Sequence, residues 1–308
     1  MSAERTLAGH RLRFHEKYVH EGKPFAPADL DGRNLADLFY TWCLDNLHVP
    51  LHKDGVTTWL EIEDVIRINQ NIVLVRTCSG KWGEGGPVIN VDSGKVEFSL
   101  EEHHAAAAKT RGVLICPPRG RSALFFSEYC QRGSGGAELM RAYVSHWRKT
   151  ESGITVEGPQ RLIESEAVLQ DAVIKSIEVR QYVKSIDLAD SSRSGVPVNI
   201  YARREPRGAG LPIEWLRRLR ERPLEAVGSL GLTIKDLDDS KIYATIKSGR
   251  KERKVLVTDL DDGLYYREVL NTSGQDPVSD EDLVKACCEK SAQYLKDTGE
   301  EWDEAWAV

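Results

Sequence analysis

Between Thr57 and Cys78, apolar and polar residues alternate in three short runs: Thr57 to Ile62, Val65 to Ile68 and Ile72 to Cys78. Alternation of period two gives an extended chain one apolar face, which has to be buried against something. The runs predict short strands, with Asp54-Gly55 as a turn in front of them and GKWGEGG as a loop behind. A helix precedes them. LADLFYTWCLDNL sets Leu35, Leu38, Phe39, Trp42 and Cys43 at helical spacing, with Asn34 or Asp31 to cap it and Pro50 to end it, and that stripe reads as core.

Met1 to about Asp31 is polar, carries Pro24 and Pro27, and reads as an irregular arm. Ser99 with Glu102 three residues later fits a capping box and predicts a second helix through EEHHAAAAKT. A strand at Gly112 to Cys116 then leads into CPPRGRSALFFSEYC, where a Pro/Gly turn presents Arg119 and Arg121 ahead of the apolar run Ala123 to Phe126. QRGSGGAELMRAYVSHWRK places small residues before a helix that buries Leu139, Met140, Tyr143, Val144 and Trp147. Glycines there can offer backbone N–H groups to an anion, but the Lys and Ser/Thr of a P-loop and the βαβ unit of a dinucleotide site are both missing. The turn around Glu151 to Pro159 marks the expected domain boundary.

A chain of 308 residues that is 41% hydrophobic and 29% charged has enough apolar material for two domains, each with a core. No signal peptide or apolar run of membrane-spanning length is present, so the expected location is the cytoplasm. The six cysteines make no CxxC pair and no zinc-ligand spacing, and Cys43, Cys78, Cys116 and Cys130 sit in apolar contexts that suit reduced, buried thiols. A net charge of -6 and a pI of about 5.8 exclude a protein coated evenly with positive charge.

Val198 to Val257 departs from that acidic background, with 14 Lys/Arg against 8 Asp/Glu. Cations gathered in an acidic chain make a local field of the sign that meets phosphate. VNIYARR reads as a strand that puts Val198, Ile200 and Ala202 on one face, and Arg204 and Arg207 leave it through a Gly-rich loop. Pro212 opens a helix in which Ile213, Leu216 and Leu219 share a face away from Arg217, Arg218 and Arg220, and Pro223 should interrupt it. KIYATIKS and RKERKVLV form a hairpin joined at Ser248-Gly249, carrying Lys247, Arg250, Lys251, Arg253 and Lys254 against Glu252 alone. A two-stranded basic ribbon can track a DNA backbone or enter a groove, and with no obvious base-reading side chain it predicts phosphate contacts.

The C-terminal stretch from Asp276 to Val308 holds 10 acids and 3 lysines. It reads as a helix capped by Ser279 with Asp282, docking through Leu283, Ala286, Cys287 and Leu295, and its charge suits a shield for the basic surface or a solubilising terminus. Enzyme motifs are absent: no HExxH, no GxSxG, no kinase set. Glu101, Glu102, His103 and His104 are neighbours that would point apart on a helix, and Asp236, Asp238, Asp239 and Lys241 only faintly suggest a metal-dependent nuclease.

The order of these elements resembles the RexA-type exclusion proteins of temperate phages. The resemblance rests on NLADLFYTWCLDNL leading into TTWLEIEDVIRINQNIVLVRT, on GVLICPPRGRSALFFSEY before a helix, and on VNIYARREPRG followed by a helix and LTIKDLDDSKIYATIKSGRKERKVLV. It implies a two-domain homodimer that binds double-stranded DNA without sequence preference and acts in prophage-encoded exclusion of other phages, beside a RexB-like membrane protein. It also implies a structural likeness to the recombination-associated protein RdgC.

These readings together predict an α+β chain with mixed or antiparallel sheets: an N-terminal α+β domain over 1–155, a β-rich basic domain for DNA binding and dimerisation over 156–275, and an acidic C-terminal helix over 276–308 that packs back on the first domain. The expected phosphate contacts are Arg203, Arg204, Arg207, Arg217, Arg218, Lys247, Arg250, Lys251, Arg253 and Lys254, with Arg119 and Arg121 added from the first domain. No catalytic residue, metal or cofactor is expected. The rival readings are a metal-dependent nuclease or toxin effector and a regulatory module that binds protein.

Overall fold

The computed structural model describes residues 4–18, 23–51, 58–83, 85–90, 92–130, 133, 135–162, 172–183, 198–204, 210–232, 240–248, 251–257, 267–271 and 274–307. It is an α+β protein with antiparallel sheets and a C-terminal helix. The chain divides into two compact units, the first made of Met1–Leu162 with Leu270–Val308 and the second of Ile163–Val269.

The first unit is built on a seven-stranded sheet. Its strands are β1 (Arg5–Glu16), β2 (Thr58–Asn69), β3 (Ile72–Lys81), β6 (Ala106–Ile115), β7 (Ala123–Cys130), β8 (Ile154–Arg161) and β14 (Arg267–Asn271). They run in the order β14-β1-β7-β6-β3-β2, with β8 also paired to β1. The first two runs of alternation prove to be one strand, β2, whose register shifts between Ile62 and Asp64. Strands β4 (Gly86–Ile89) and β5 (Val96–Leu100) form a separate ribbon.

Alternate strand residues bury two faces. On one, Leu12, Phe14, Val73, Val75, Leu114 and Phe125 pack with helices α1 (Leu35–Asp45) and α2 (Gly135–Thr150) through Phe39, Met140, Tyr143 and Trp147. Asn34 caps α1, its side chain accepting from the Ala36 N–H at 2.8 Å. The glycines that open α2 serve this packing: a side chain at Gly135 would run into Thr77 and Thr110, and one at Gly136 would sit 3.0 Å from the Arg111 carbonyl. On the other face Leu7, Leu74, Val113, Leu124 and Phe126 are buried, where α5 (Asp280–Asp297) meets β6. Ser279 caps α5 by accepting from the Asp282 N–H, and Leu283, Cys287 and Leu295 are fully buried while Ala286 is partly so.

Charge anchors that helix. Arg111 donates twice to the fully buried Glu128, at 3.0 and 2.8 Å, and Arg5 adds a contact at 3.1 Å. The remaining amino group of Arg111 reaches the Val278 carbonyl at 2.8 Å and Asp280 at 2.9 Å, and Asp280 also takes Arg76, which holds Asp64. Burial pushes the Asp280 carboxyl up, but the hydrogen bonds and charges of Arg111 and Arg76 outweigh it and hold the group below its ordinary value. A depressed carboxylate pKa contributes stability that is complete above the unfolded value of about 4 and is lost as pH falls through the lower folded value. Asp280→Asn is therefore expected to destabilise the protein at neutral pH. In urea titrations across pH, its deficit against wild type should shrink only below about pH 4.

Three expectations are corrected here. The N-terminal arm is strand β1, paired on one side to β7 and on the other to β8. Its sequence looks polar because its arginines are consumed by distant partners: Arg5 by Glu128, Arg13 by Ser122 and Glu300, and Arg11 by Gln160. The helix after Ser99 does not form. Ser99 lies within β5, Glu101 and His104 close a turn on each other, and Ala106 to Thr110 pairs with Lys81 to Thr77 of β3. Alanine prefers helix, but pairing with β3 overrides that preference here, and the β6 backbone crosses so near Gly80 that a side chain at Gly80 would collide with Ala106. Glu151 to Pro159, expected to divide the domains, instead leads into and forms most of β8, and the first unit runs on to Leu162.

The second unit carries a sheet of order β10-β9-β12-β13, with strands β9 (Val173–Val183), β10 (Val198–Arg204), β12 (Ser240–Ser248) and β13 (Lys251–Leu256), and the short β11 (Leu211–Pro212) on β9. Helices α3 (Glu214–Glu221) and α4 (Pro223–Ser229) are separated at Arg222, as Pro223 predicts. They bury Leu216, Leu219, Ala226 and Val227 against Ile174, Ile177, Val179, Ile242, Ala244 and Ile246.

Candidate nucleic-acid interface

The helices cover one face of the second sheet, so alternation fixes what stands on the other. Ile242, Ala244 and Ile246 point to the helices, which leaves Lys241, Tyr243, Thr245 and Lys247 on the opposite face. Lys241 is exposed, and the other three are half-buried. Cross-strand register extends the row: Tyr243 lies opposite Glu178 of β9, which lies opposite Arg203 of β10, while Lys241 pairs with Arg180 and Arg180 with Tyr201. On the hairpin side Lys247 pairs with Glu252 and Thr245 with Lys254. This opposite face, on which no described helix packs and which is called the helix-free face below, collects basic and tyrosine positions from four strands. Glu178, 4% exposed, is its buried acid.

This register divides the expected contacts. Lys247, Lys254 and Arg203 occupy positions on the helix-free face. Arg253 pairs with Ile246, Lys251 with Ser248 and Arg204 with Ile177, so these three hold positions in the alternate rows. The hairpin cations are therefore shared between its two faces. Arg207 and Arg250 lie outside the described residues.

Arg217 and Arg218 belong to the helix layer and already have partners. Arg217 donates to Glu221 at 2.8 Å, and Arg218 donates to Glu225 at 3.1 Å while stacking over Trp215 at 4.9 Å. The hydrogen bond from Arg218 is the main reason that Glu225 titrates below its ordinary value, and the bond that Arg217 donates to Glu221 raises Arg217. In the first unit the turn before β7 is tied to the acidic tail: Glu301 takes the Arg119 guanidinium at 3.4 Å, and Glu300 takes the Arg121 backbone N–H at 2.7 Å and the Ser122 hydroxyl at 2.8 Å. The tail acids Asp280, Glu300 and Glu301 thus find their partners within the first unit. Exposed ion pairs of this kind are screened by solvent, so their main effect is to reduce the net field.

Sequence reasoning did not single out Lys241 and Tyr243 as contacts, nor Arg180. The signal was the same alternation that marked KIYATIKS as a strand, since the polar half of that pattern is the helix-free face. Over the whole of 163–269 the formal balance is only 19 Lys/Arg against 18 Asp/Glu, so any attraction for phosphate depends on this arrangement and not on bulk charge.

Among the described residues no group of three His, Cys, Asp or Glu is placed to hold a metal ion. Asp236, Asp238 and Asp239 lie outside those residues, and Glu101 to His104 form a surface turn. The six cysteines are free, with Cys43, Cys116, Cys287 and Cys288 buried. No described helix is long and apolar enough to cross a membrane. No family model, no curated protein and no solved structure matches this chain.

Proposed function

We propose that the chain binds double-stranded DNA without sequence preference, through phosphate contacts made by the second unit. The observation that carries this reading is the helix-free sheet face, where Lys241 and Lys247 flank Tyr243 on one strand and Arg203, Arg180 and Lys254 take register positions beside them. Lysine and arginine on a sheet suit the evenly charged DNA backbone. Contacts of this kind to the phosphate backbone position the protein and do not read sequence. The β12–β13 ribbon has the width that a major groove admits.

On the resemblance alone, the same proposal extends to a homodimer acting in prophage-encoded phage exclusion beside a RexB-like membrane partner. The DNA-binding part is tested first, by gel shift of the full-length chain against two duplexes of unrelated sequence, with and without Mg²⁺. Both duplexes should shift at the same protein concentration and stay intact. Binding to only one, or to neither at low salt, contradicts the proposal, and cut products in the Mg²⁺ lanes select the nuclease reading instead.

A further inference from the structure

We propose that the ribbon of β4 and β5 in the first unit is a docking edge for an extended, basic segment of a partner protein, which adds to it as a third strand. The ribbon continues the β3–β6 hairpin. Beyond the pair Lys81 and Ala106, the Gly83 N–H donates to the Glu102 carbonyl at 2.8 Å, and β4 then pairs with β5. Among the described residues the ribbon pairs with no other strand, so it is a sheet of two. Two strands alone are marginal in water, and a third strand or a packed layer is what ordinarily completes them.

The side chains call for the same completion. Val88 lies opposite Phe98 and Ile89 opposite Val96, two apolar cross-strand pairs in succession. Yet Ile89, Val96 and Phe98 are 52, 58 and 55% exposed, and Trp82 at the foot of the ribbon is exposed as well. These are four of the eight large apolar side chains that stand exposed among the described residues, and apolar surface gathered in this way marks an interaction site. The two edges differ. Strand β4 contains Pro87, which has no N–H to offer a new strand, whereas β5 contains no proline and carries Val96 and Phe98. Strand addition at β5 would supply main-chain hydrogen bonds and cover those side chains. Charge selects the occupant. The stretch 81–104 holds two lysines against five acids, and Asp92, Glu97, Glu101 and Glu102 are exposed. A second copy would bring the same excess of acids, and an anionic bilayer would repel them. A segment that alternates apolar residues with Lys or Arg matches both the apolar pairs and the acids. The ribbon belongs to the first unit, so this proposal is independent of DNA binding by the second.

The test is fluorescence anisotropy of a labelled eight-residue peptide alternating valine with lysine, titrated with the full-length protein. Binding should saturate with a Kd below about 100 μM. The same peptide with glutamate in place of lysine, and one with proline at its two central valines, should each bind at least about tenfold more weakly. Phe98→Ser and Val96→Thr should each weaken the lysine peptide by about the same factor with an unchanged circular dichroism spectrum, because neither side chain belongs to the buried core. Wild type and Phe98→Ser should sediment alike, and wild type should not float with vesicles of phosphatidylcholine and phosphatidylglycerol. No binding of the lysine peptide, equal binding of the glutamate peptide, or ribbon variants that bind as wild type overturn the proposal. Self-association that Phe98→Ser disperses would instead assign the ribbon to a second copy, and flotation that Phe98→Ser abolishes would assign it to a bilayer.

Discussion

Arg111→Ala should lower the unfolding free energy of the protein by about 3–5 kcal/mol, the cost of removing one partner of a buried ion pair. The size follows from what is left behind. Glu128 is fully buried and takes two of its three arginine contacts from Arg111. Removing the guanidinium leaves that carboxylate with Arg5 alone, frees the Val278 carbonyl and leaves Asp280 with Arg76 alone at the start of α5. The loss should therefore appear as a lower midpoint in urea with early exposure of Cys287 and Cys288, which thiol reagents detect. Replacing both members together, Arg111→Met with Glu128→Leu, should recover much of the loss, because an apolar pair of similar volume leaves no charge uncompensated. A single-variant cost below about 1 kcal/mol would mean that the network is solvated in solution and does not anchor the helix.

The second large effect concerns where DNA is held. Lys241→Gln with Lys247→Gln removes two cations from the helix-free face, and each lost phosphate contact should reduce the log–log salt slope by about 0.9. At low salt the expected loss is about tenfold or more in affinity. Arg217→Gln with Arg218→Gln removes the same charge from the helix layer, where Glu221 and Glu225 already occupy the guanidiniums. That pair should cost little affinity, within about threefold. Filter binding of the two double variants side by side separates the layers. A larger loss from the helix pair would move the binding surface to α3.

Much of this architecture was legible. Helix α1 and its Asn34 cap, α2, the break at Pro223 and the Ser279 cap of α5 all followed from spacing and capping chemistry. The failures share a cause in tertiary pairing. Strand β1 hides behind arginines whose acids come from elements more than a hundred residues away, and no local pattern shows those partners. Ala106 to Thr110 reads as helix until its pairing with Lys81 to Thr77 of β3 is known. The basic segment was legible as composition, but its division into faces was not. The one-residue alternation that separates Arg253 from Lys254 matters only once Ile246 and Thr245 are known as their partners.

The decisive measurement is the salt dependence of affinity for an arbitrary duplex. Phosphate-directed binding by a patch of this size predicts that log K falls linearly with log salt, with a slope of about -4 to -6, and that the slope is the same for a second, unrelated sequence. A slope near zero, or slopes that differ between sequences, would contradict phosphate-directed binding by the second unit.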